Sequence, residues 1–374
     1  MALRYERVAG DIDVLARAGL PLETFLSEAV DSIERAIPWD GACVGTHDPA
    51  TRILTSARKY GDLEGKNDGD QLFGLIEYGA GEPTSYHDLV EAGVRAVGMQ
   101  VRHGGDVKQS ERMRRLMIPS FGYHDEARVL FHDGQHFWGG LALFRGSDEP
   151  AFAEEEIAAL ARLSESLAFG LRGGLLAELG RTARHHDGGP AVVIVDAADE
   201  IAHVSAGAKW WLDVLGAERH SADPLALISS LAGAARLQAR GQWRSAPRAR
   251  VRTSCGLWLL MQASMLSGVE GHAGEVVVTI EEARPPEIVA LVVAAFDLTP
   301  RERDVVQLVI QGLDTKEIAA TLHLSPYTVQ DHLKSVFEKA DVRSRRELIA
   351  RVYFDQYVPR MGQPLAPSGW FAPA

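Results

Sequence analysis

The sequence predicts two α+β domains followed by an all-α domain of four short helices. Before residue 285, two regions alternate short apolar runs with amphipathic helical patterns. From residue 297 the helical patterns open with N-terminal capping sequences. The chain of 374 residues is also long for a single domain. We therefore expect three domains, at residues 1–176, 188–284 and 295–358.

The first domain is predicted from one helix, several strands and a long closing helix. Residues 20–37 have apolar residues at the spacing of an amphipathic helix. Four short apolar runs indicate strands, at 41–48, 53–61, 125–134 and 136–146. The helical pattern of 154–172 begins with three glutamates, which suit the positive end of a helix dipole.

A second α+β domain follows a polar joint at 181–190. The stretch 191–205 has the pattern of two strands around a turn, and helical patterns follow at 206–216 and 223–238. Two further strand patterns lie at 248–266 and 274–283. The prolines at 285 and 286 then separate this domain from the last one.

Capping sequences define the helices of the C-terminal domain. Thr299 and Glu302 form a capping box around Pro300, and Asp314 with Glu317 forms a second one. Ser325-Pro326 opens a third helix, and the box from Ser344 to Glu347 opens a fourth. A few residues give the apolar stripe of each of the first three helices: Val305, Leu308 and Val309; Ile318, Ala319 and Leu322; Val329, Leu333 and Val336.

The second and third of these helices are separated by one short turn, as in helix-turn-helix DNA readers. If Val329, Leu333 and Val336 are buried, the opposite face carries a polar set: Tyr327, Gln330, Asp331, Lys334 and Glu338. A plain helical bundle with a solvated outer face explains the same pattern. Periodicity alone leaves both interpretations open.

The block from Leu298 to Val352 resembles the LuxR-type helix-turn-helix domain at the C-terminus of many bacterial transcription regulators. The resemblance rests on fixed spacings along these 55 residues: Leu298-Thr299, Arg301-Glu302, Gly312, Lys316-Glu317-Ile318-Ala319, Ser325, Thr328-Val329, His332, Lys339, Val342 and Ser344-Arg345. It departs at Ala340-Asp341, where the family usually has Leu-Gly. Aspartate tolerates the left-handed conformation that such a turn requires.

The resemblance implies roles for individual residues. Gln330, Asp331 and Lys334 match base-facing positions of the recognition helix, with Tyr327 beside them. Further positions match residues that contact or support phosphates: Lys316, Thr328, Lys339, Arg343 and Arg345. His332 is interpreted as a packing residue. The family dimerises through its fourth helix, which here offers four residues: Leu348, Ile349, Val352 and Tyr353.

Regional charge is compatible with one local DNA module. The net charge is −12, which argues against non-specific coating of nucleic acid. From residue 297 onward, ten basic and ten acidic residues balance, so the excess negative charge lies before that point. We expect the arginines between Val342 and Arg351 to supply positive potential.

The two front domains resemble sensor modules. In element order, the first resembles a GAF domain and the second a PAS domain, and such folds bind small molecules or mediate dimers. The first is rich in aromatic and histidine residues: Trp39, His47, Tyr60, Tyr78, His87, Phe121, Tyr123, His132, Phe137 and Trp138. An apolar pocket with a few polar groups requires such a mixture. Six of them are predicted to line it: Trp39, Tyr60, Phe121, Tyr123, His132 and Trp138.

Several other functions are excluded or disfavoured. No GxSxG, HExxH or paired-carboxylate motif indicates an enzyme, and no cofactor motif occurs. A receiver domain needs further strands alternating with helices, whereas the later strands here pair by short turns. His185, His186 and Asp187 are interpreted as polar loop rather than a metal site. Cys43 and Cys255 lack CxxC spacing and are expected to be reduced and inert.

The function predicted from the sequence is sequence-specific DNA binding by a transcriptional regulator, not an enzyme. Its expected partners are double-stranded DNA with a dyad-symmetric site, a second copy of the chain and RNA polymerase. An unidentified small molecule is its expected effector. The chain lacks a signal sequence or membrane span, so a cytoplasmic location is expected. The alternative is a non-catalytic scaffold whose C-terminal helices mediate assembly.

Overall fold

The computed structural model describes residues 2–79, 81–177, 191–216, 223–253, 256–266 and 274–354. His185, His186, Asp187 and Cys255 lie outside these ranges, as does the side chain of Tyr353. The described residues form two compact units. One contains the residues up to 177 and those from 191 to 282, and the other contains residues 283–354.

The first sheet of the larger unit is antiparallel and five-stranded. Its strands are β1 (Gly41–His47), β2 (Leu54–Gly61), β3 (Ala96–Gly98), β4 (Tyr123–His132) and β5 (Phe137–Gly146). Their order is β2-β1-β5-β4-β3. The four strands predicted from apolar runs are confirmed, whereas the short edge strand β3 was not predicted.

Helices cover both faces of the first sheet. They are α1 (Ala2–Arg17), α2 (Leu22–Ala36), α3 (Asp70–Gly79), α4 (Tyr86–Glu91), α5 (Met99–Arg102) and α6 (Glu154–Ala177), with a 3₁₀ turn at Val107–Gln109 and a π-helix at Met113–Phe121. Helices α1, α2 and α6 pack on one another. A Cβ built at Gly139 would meet Leu171 of α6, and one built at Gly140 would meet Tyr86 of α4. Because these two glycines are neighbours on β5, α6 and α4 cover opposite faces.

The second sheet has the same strand order as the first. Its strands are β6 (Ala191–Val195), β7 (Ile201–Val204), β8 (Arg248–Arg252), β9 (Trp258–Met265) and β10 (Val276–Glu282). They lie in the order β7-β6-β10-β9-β8, again antiparallel. Helix α7 (Ala206–Leu215) packs on β6, and α8 (Leu225–Ala239) packs on β9 and β10. The α+β class predicted for both domains is confirmed.

Close backbone packing joins the two α+β domains. A Cβ built at Gly74 of α3 would lie 2.8 Å from the carbonyl oxygen of Ala226, and one at Gly233 of α8 would lie 2.9 Å from the carbonyl oxygen of Tyr78. The two helices therefore approach each other where neither has a side chain. Nearby, the Arg250 Nε donates to Asp48 across 2.7 Å.

The second unit is helical. It contains α9 (Pro285–Ala295), α10 (Pro300–Ile310), α11 (Thr315–Leu322), α12 (Pro326–Lys339) and α13 (Arg345–Ile349), followed by a π-helical turn at Ala350–Phe354. The four predicted helices are confirmed. Helix α9 was not predicted, because its two prolines were interpreted as punctuation; they occupy the first helical positions, where a missing N–H costs little.

None of the described helices combines the length and the apolarity needed to cross a bilayer.

Candidate nucleic-acid interface

Reciprocal caps fix the first two helices of the candidate interface. The Thr299 N–H donates to Glu302 across 2.8 Å, and the Glu302 N–H donates to the Thr299 hydroxyl across 3.3 Å. In α11 the Asp314 N–H donates to Glu317 across 2.7 Å, and Asp314 accepts in return from the Glu317 N–H across 2.9 Å. These two predicted capping boxes are therefore confirmed. The third, from Ser344 to Glu347, forms only in part: the Ser344 hydroxyl accepts the Glu347 N–H across 3.2 Å, but the Glu347 carboxylate accepts the N–H of Arg343 rather than that of Ser344.

The turn between α11 and α12 spans only the residues from His323 to Ser325. His323 adopts a left-handed conformation with φ 55°, and this reverses the chain within so short a turn. The Ser325 hydroxyl then accepts the Thr328 N–H across 3.0 Å and caps α12. This cap and the packing of α12 on α10 and α11 set the direction of the third helix.

Helix α12 has one buried face and one exposed face. Val329, Leu333 and Val336 are buried, as predicted. The opposite side exposes five residues: Tyr327, Gln330, Asp331, Lys334 and Glu338. Tyr327 is 73% exposed, so it is available for contact with a partner.

A groove runs beside the exposed face of α12. Its wall includes four of the predicted DNA-binding residues: Gln330, Lys334, Arg343 and Arg345. It also includes three acidic residues: Glu338, Asp341 and Glu347. The wall thus carries three basic and three acidic side chains. The positive potential expected from the arginines after Val342 stays a prediction.

Lys339 is engaged within the domain. Its Nζ lies 2.8 Å from the Glu302 carboxylate and 3.1 Å from the carbonyl oxygen of Asp297. Burial alone would raise the pKa of Glu302, but hydrogen bonds from Lys339, Ser335 and the Thr299 N–H lower that pKa to about 2. Lys339 therefore braces α12 against α10 in this structure.

Arg345 is engaged in the same way. Its guanidinium donates to the carbonyl oxygen of Leu313, at the end of the α10–α11 connection, and lies 3.4 Å from the Thr315 hydroxyl. Thr328 is half-buried and belongs to the cap of α12, whereas Lys316 and Arg343 are exposed. The structure therefore separates exposed candidates for DNA contact from residues that support the scaffold.

Asp341 occupies the turn where the resemblance departs from the family. Its φ is 51°, so aspartate adopts the left-handed conformation there. The following Val342 N–H donates to the carbonyl oxygen of Phe337 across 2.9 Å, which closes the C-terminus of α12. The predicted turn geometry therefore forms without glycine.

The predicted dimerisation residues are mostly inside the domain. Leu348 is 0% exposed and Val352 is 1% exposed. Helix α9 packs against the turn at Ala350–Phe354 and covers part of this region. Ile349 is half-buried. Leu348 and Val352 consequently serve the core of the unit in this structure rather than an exposed face.

A cavity of about 40 Å³ lies in the first α+β domain, and one of the six predicted pocket residues, Phe121, lines it. Tyr123 stacks between Phe121 and Phe144 in the adjoining apolar core. Trp138 lies apart, because its Nε1 donates to Asp133, which also binds Arg172 of α6. The other three predicted residues, Trp39, Tyr60 and His132, do not line this cavity either.

Two polar residues of the cavity wall, His47 and Tyr86, are not among the six pocket residues predicted from the sequence. The Nδ1 of His47 makes no hydrogen bond of good geometry with the described part of the chain, nor does the hydroxyl of Tyr86. Burial, and then the charge of Arg128, lower the pKa of His47 to about 3, so the imidazole is neutral at physiological pH. His47 belongs to the aromatic and histidine-rich set noted in the sequence; nothing in the sequence marks Tyr86.

Beside the cavity lies a buried ionic network. Arg112 and Arg128 are each 0% exposed and contact the carboxylates of Glu77 and Glu126. A third carboxylate, that of Glu82, accepts from the Arg112 N–H across 3.2 Å. Burial raises the pKa of the Cys43 thiol, another wall residue, to about 12, in agreement with the expectation that it is inert.

Comparison with known proteins identifies the helical unit. Residues 297–352 match the model of the family described as bacterial regulatory proteins, luxR family. Putative HTH-type transcriptional regulators of Mycobacterium bovis and Mycobacterium tuberculosis are 54% identical over 52 residues, which are 14% of this chain and 6% of theirs. The nitrate/nitrite response regulator NarL of Escherichia coli is 37% identical over 92 residues, which are 22% of this chain and 42% of NarL. The chain thus covers less than half the length of these relatives.

Solved structures are similar to this chain only at a distance. A GAF domain from a Coxiella burnetii phosphoenolpyruvate-protein phosphotransferase has 18% identity and a TM-score of 0.29, and covers 45% of this chain and 92% of that one. A Vibrio cholerae VqmA–ligand–DNA complex has 15% identity and a TM-score of 0.23, and covers 45% and 83%. Likenesses this distant carry no conclusion about function. The family match and the confirmed capping boxes together identify residues 297–352 as a helix-turn-helix domain of the LuxR family of bacterial regulatory proteins.

Proposed function

We propose that this protein is a sequence-specific DNA-binding transcriptional regulator. One observation carries the proposal: within the LuxR-family domain, the capped helix α12 presents an exposed polar face next to the short turn from α11. A helix so placed fits the major groove of B-DNA. The regulatory names of the curated relatives support the same role.

The exposed side chains of α12 have the chemistry of base recognition. A glutamine at 330 can pair with the N6 and N7 edge of adenine. The carboxylate of Asp331 can accept from the N4 amino group of cytosine, and Lys334 can donate to guanine. Tyr327, Lys316 and Arg343 are exposed and are assigned to the DNA backbone, whereas Lys339 and Arg345 are assigned to holding the helices in place.

The balanced charge of the groove has a consequence for affinity. Non-specific affinity comes mainly from basic side chains that neutralise phosphates. With three acidic residues among the basic ones, the groove supplies little of that affinity. Base contacts therefore account for a large share of the binding free energy, and the protein discriminates strongly between sites.

The partners follow from this role. We propose that two copies of the chain bind a dyad-symmetric operator, as paired helix-turn-helix domains do, and that RNA polymerase is a further partner. Within the predicted dimer set, Ile349 is the described residue that is not fully buried. The GAF-like first domain and the PAS-like second domain are assigned to sensing, and the cavity at His47 and Tyr86 is the proposed effector site.

DNA selection with the full-length protein tests this proposal. Double-stranded DNA with a random central segment is bound, partitioned and sequenced over several rounds, and affinities for the selected site are measured by fluorescence anisotropy. Enrichment of a two-fold symmetric motif is expected. Failure to enrich any motif, with equal affinity for all sequences, would contradict the regulator and favour the assembly scaffold.

Two variants connect the selected motif to α12. Lys334→Ala is expected to weaken binding to the selected site by about tenfold, the value of one good base contact. Asp331→Ala is expected to relax the preference at one base pair. Lys209→Ala, a lysine exposed on α7, is the matched control and should leave the affinity unchanged.

A further inference from the structure

The effector cavity is walled by both α+β domains. Most of its lining comes from β1, β2, β5, α3 and the π-helix at Met113–Phe121. One wall residue, Ala226, belongs to α8 of the second domain. The first domain alone therefore leaves the site incomplete.

Helix α3 links the cavity to α8 through a carboxylate. Asp70, at the first position of α3, is 7% exposed and forms an ion pair with Lys59 in the cavity wall. Its other oxygen accepts the N–H of Asp223, two residues before α8, across 2.7 Å. A displacement of Lys59 or Asp70 would therefore also displace the N-terminus of α8.

The packing of α3 on α8 leaves little room for independent movement. Gly74 and Gly233 bring the two backbones together, and Gln71 of α3 donates to the carbonyl oxygen of Asp199 across 2.9 Å. Closely packed backbones transmit small displacements because no side chain between them can rearrange. Phe73 and Glu77, on the same helix as Gly74, line the cavity.

The wall chemistry selects for an uncharged ligand. Lys59 is paired with Asp70, and Glu77 is paired with Arg112 and Arg128, so the charged wall residues already have partners. The buried Nδ1 of the neutral His47, which is 4% exposed, and the hydroxyl of Tyr86 make no hydrogen bond of good geometry. Both can serve one neutral hydroxyl or carbonyl group. The aromatic side chains of Phe73, Phe121 and Phe144 suit a flat ring beside that group.

The size of the cavity requires one wall to move. A volume of about 40 Å³ exceeds what one water needs but is too small for an aromatic ring. Leu116, Met117 and Phe121 form the wall on the π-helical side. Methionine adapts its shape readily, and π-helical turns occur often at functional sites. We therefore expect the π-helix to be the wall that yields when a ring enters.

We propose that the cavity binds a small, uncharged aromatic molecule with a hydroxyl or carbonyl group, and that Ala226 of α8 completes the site, so that binding is communicated directly to the second domain. This rests on the proposed effector role of the cavity. It adds the ligand class and the residue by which the second domain takes part.

Binding of two matched probes to the full-length protein tests the ligand class. By ¹⁹F NMR, 4-fluorophenol is expected to bind, and 4-fluorobenzoate is expected to bind at least tenfold more weakly because no unpaired cation meets its charge. His47→Phe keeps an aromatic side chain and removes both ring nitrogens, and it should weaken 4-fluorophenol binding by about tenfold. No binding of 4-fluorophenol, or equal binding of the two probes, would overturn the ligand class.

A substitution on α8 tests the shared wall. Ala226→Leu fills the cavity from the second domain and should abolish 4-fluorophenol binding, with Ala226→Val as a milder variant if the first does not fold. Ala239→Leu makes the same change at an exposed site on α8 and should leave binding unchanged. In the wild type, 4-fluorophenol should slow amide exchange at residues 225–239.

The outcomes separate this inference from the regulatory role. Probe binding that is unaffected by both Ala226 variants, with unchanged exchange in α8, would overturn the shared wall but leave the ligand class. Sequence-selective DNA binding without any probe binding would retain the regulator and reject the ligand class. Probe binding without DNA selectivity would retain the cavity site and reject the regulator.

Discussion

The two five-stranded sheets share one strand order but have different interiors. Around the first sheet lie buried charged side chains, among them Arg112, Arg128 and Glu126, each 0% exposed. In the described part of the second α+β domain no charged side chain is buried, and the buried polar residues are Ser229, Ser230 and Thr253. The same topology thus supports an interior with ions and a cavity in one case, and an apolar core in the other.

The presence of buried ions in one domain and their absence from the described part of the other suggest different roles for the two domains. Burying ions stabilises a fold less than apolar packing of equal volume, because desolvation offsets the attraction. The first domain therefore carries a cost that suits a binding site with a defined shape. Under the proposed effector role, the second domain, with its apolar core and the helix α8, receives the signal rather than holding the ligand.

The largest expected effect concerns the ionic network. Arg112→Met leaves the carboxylates of Glu77 and Glu126 with Arg128 as the remaining cation of the network, and should lower the free energy of unfolding by about 4 kcal/mol. Arg114→Met, two residues away and 53% exposed at its side chain, should change it by less than about 0.5 kcal/mol. Urea denaturation measures both. If both variants lower the free energy of unfolding by a similar amount, the buried network stabilises the protein no more than a surface ion pair does.

Acid should weaken the first domain through Glu82. Burial alone would raise the pKa of Glu82, but Arg112 and hydrogen bonds from Thr84 and the Arg112 N–H lower it to about 2, from an ordinary value of 4.5. A lowered pKa stabilises the fold fully above pH 4.5, and that contribution is lost as the pH falls towards 2. Glu82→Gln should therefore cost about 2 kcal/mol at pH 7, and less as the pH falls. A difference from wild type that is independent of pH would contradict this assignment.

The joint between the sheets is tested by adding one methyl group. Gly74→Ala places a Cβ 2.8 Å from the backbone of Ala226, so α3 and α8 must separate, at a cost of about 2 kcal/mol. Gly79→Ala, on the same helix, meets its nearest atom only at 4.0 Å and should be neutral or slightly stabilising. Thermal unfolding compares them. If Gly74→Ala is as stable as Gly79→Ala, the two domains do not depend on close packing.

The smallest effect lies outside both sheets. Asp341 has φ 51°, a conformation that glycine adopts at lower cost, so Asp341→Gly should stabilise the helical unit by about 1 kcal/mol. Asp304→Gly, inside α10, should instead destabilise that unit, by about 0.3 kcal/mol. Circular dichroism during urea unfolding reports both signs. A destabilising Asp341→Gly would show that the carboxylate has a role that the turn geometry does not reveal.

The features that were predicted best from the sequence are those that depend on residues close to one another in the chain. The capping boxes at Thr299 and Asp314 and the buried face of α12 depend on neighbouring residues, and all were predicted. Tertiary contacts determine the rest. The irregularity in β-sheet pairing at Phe131 and His132 brings Phe137, rather than Trp138, into the core beside the cavity.

Buried ions were beyond sequence-based prediction for a related reason. From the sequence alone, Arg112 and Arg128 would be expected at the surface, because arginine is usually exposed. They are buried because they pair with carboxylates that are distant in sequence, such as that of Glu77. Helix α3 was missed because its short pattern contains two glycines, and the reason for one of them, the contact of Gly74 with α8, is visible only in the structure. The engaged states of Lys339 and Arg345 likewise depend on α10 and its connection to α11.

The central claim is that α12 selects DNA sequence, and Gln330 tests it most directly. Site preferences are measured by sequencing the DNA bound by full-length Gln330→Ala, with Gln307→Ala, an exposed glutamine on α10, as the matched control. The account predicts that Gln330→Ala loses its preference at one base pair in each half-site while Gln307→Ala keeps the wild-type motif. An unchanged motif for Gln330→Ala, Asp331→Ala and Lys334→Ala alike would contradict it.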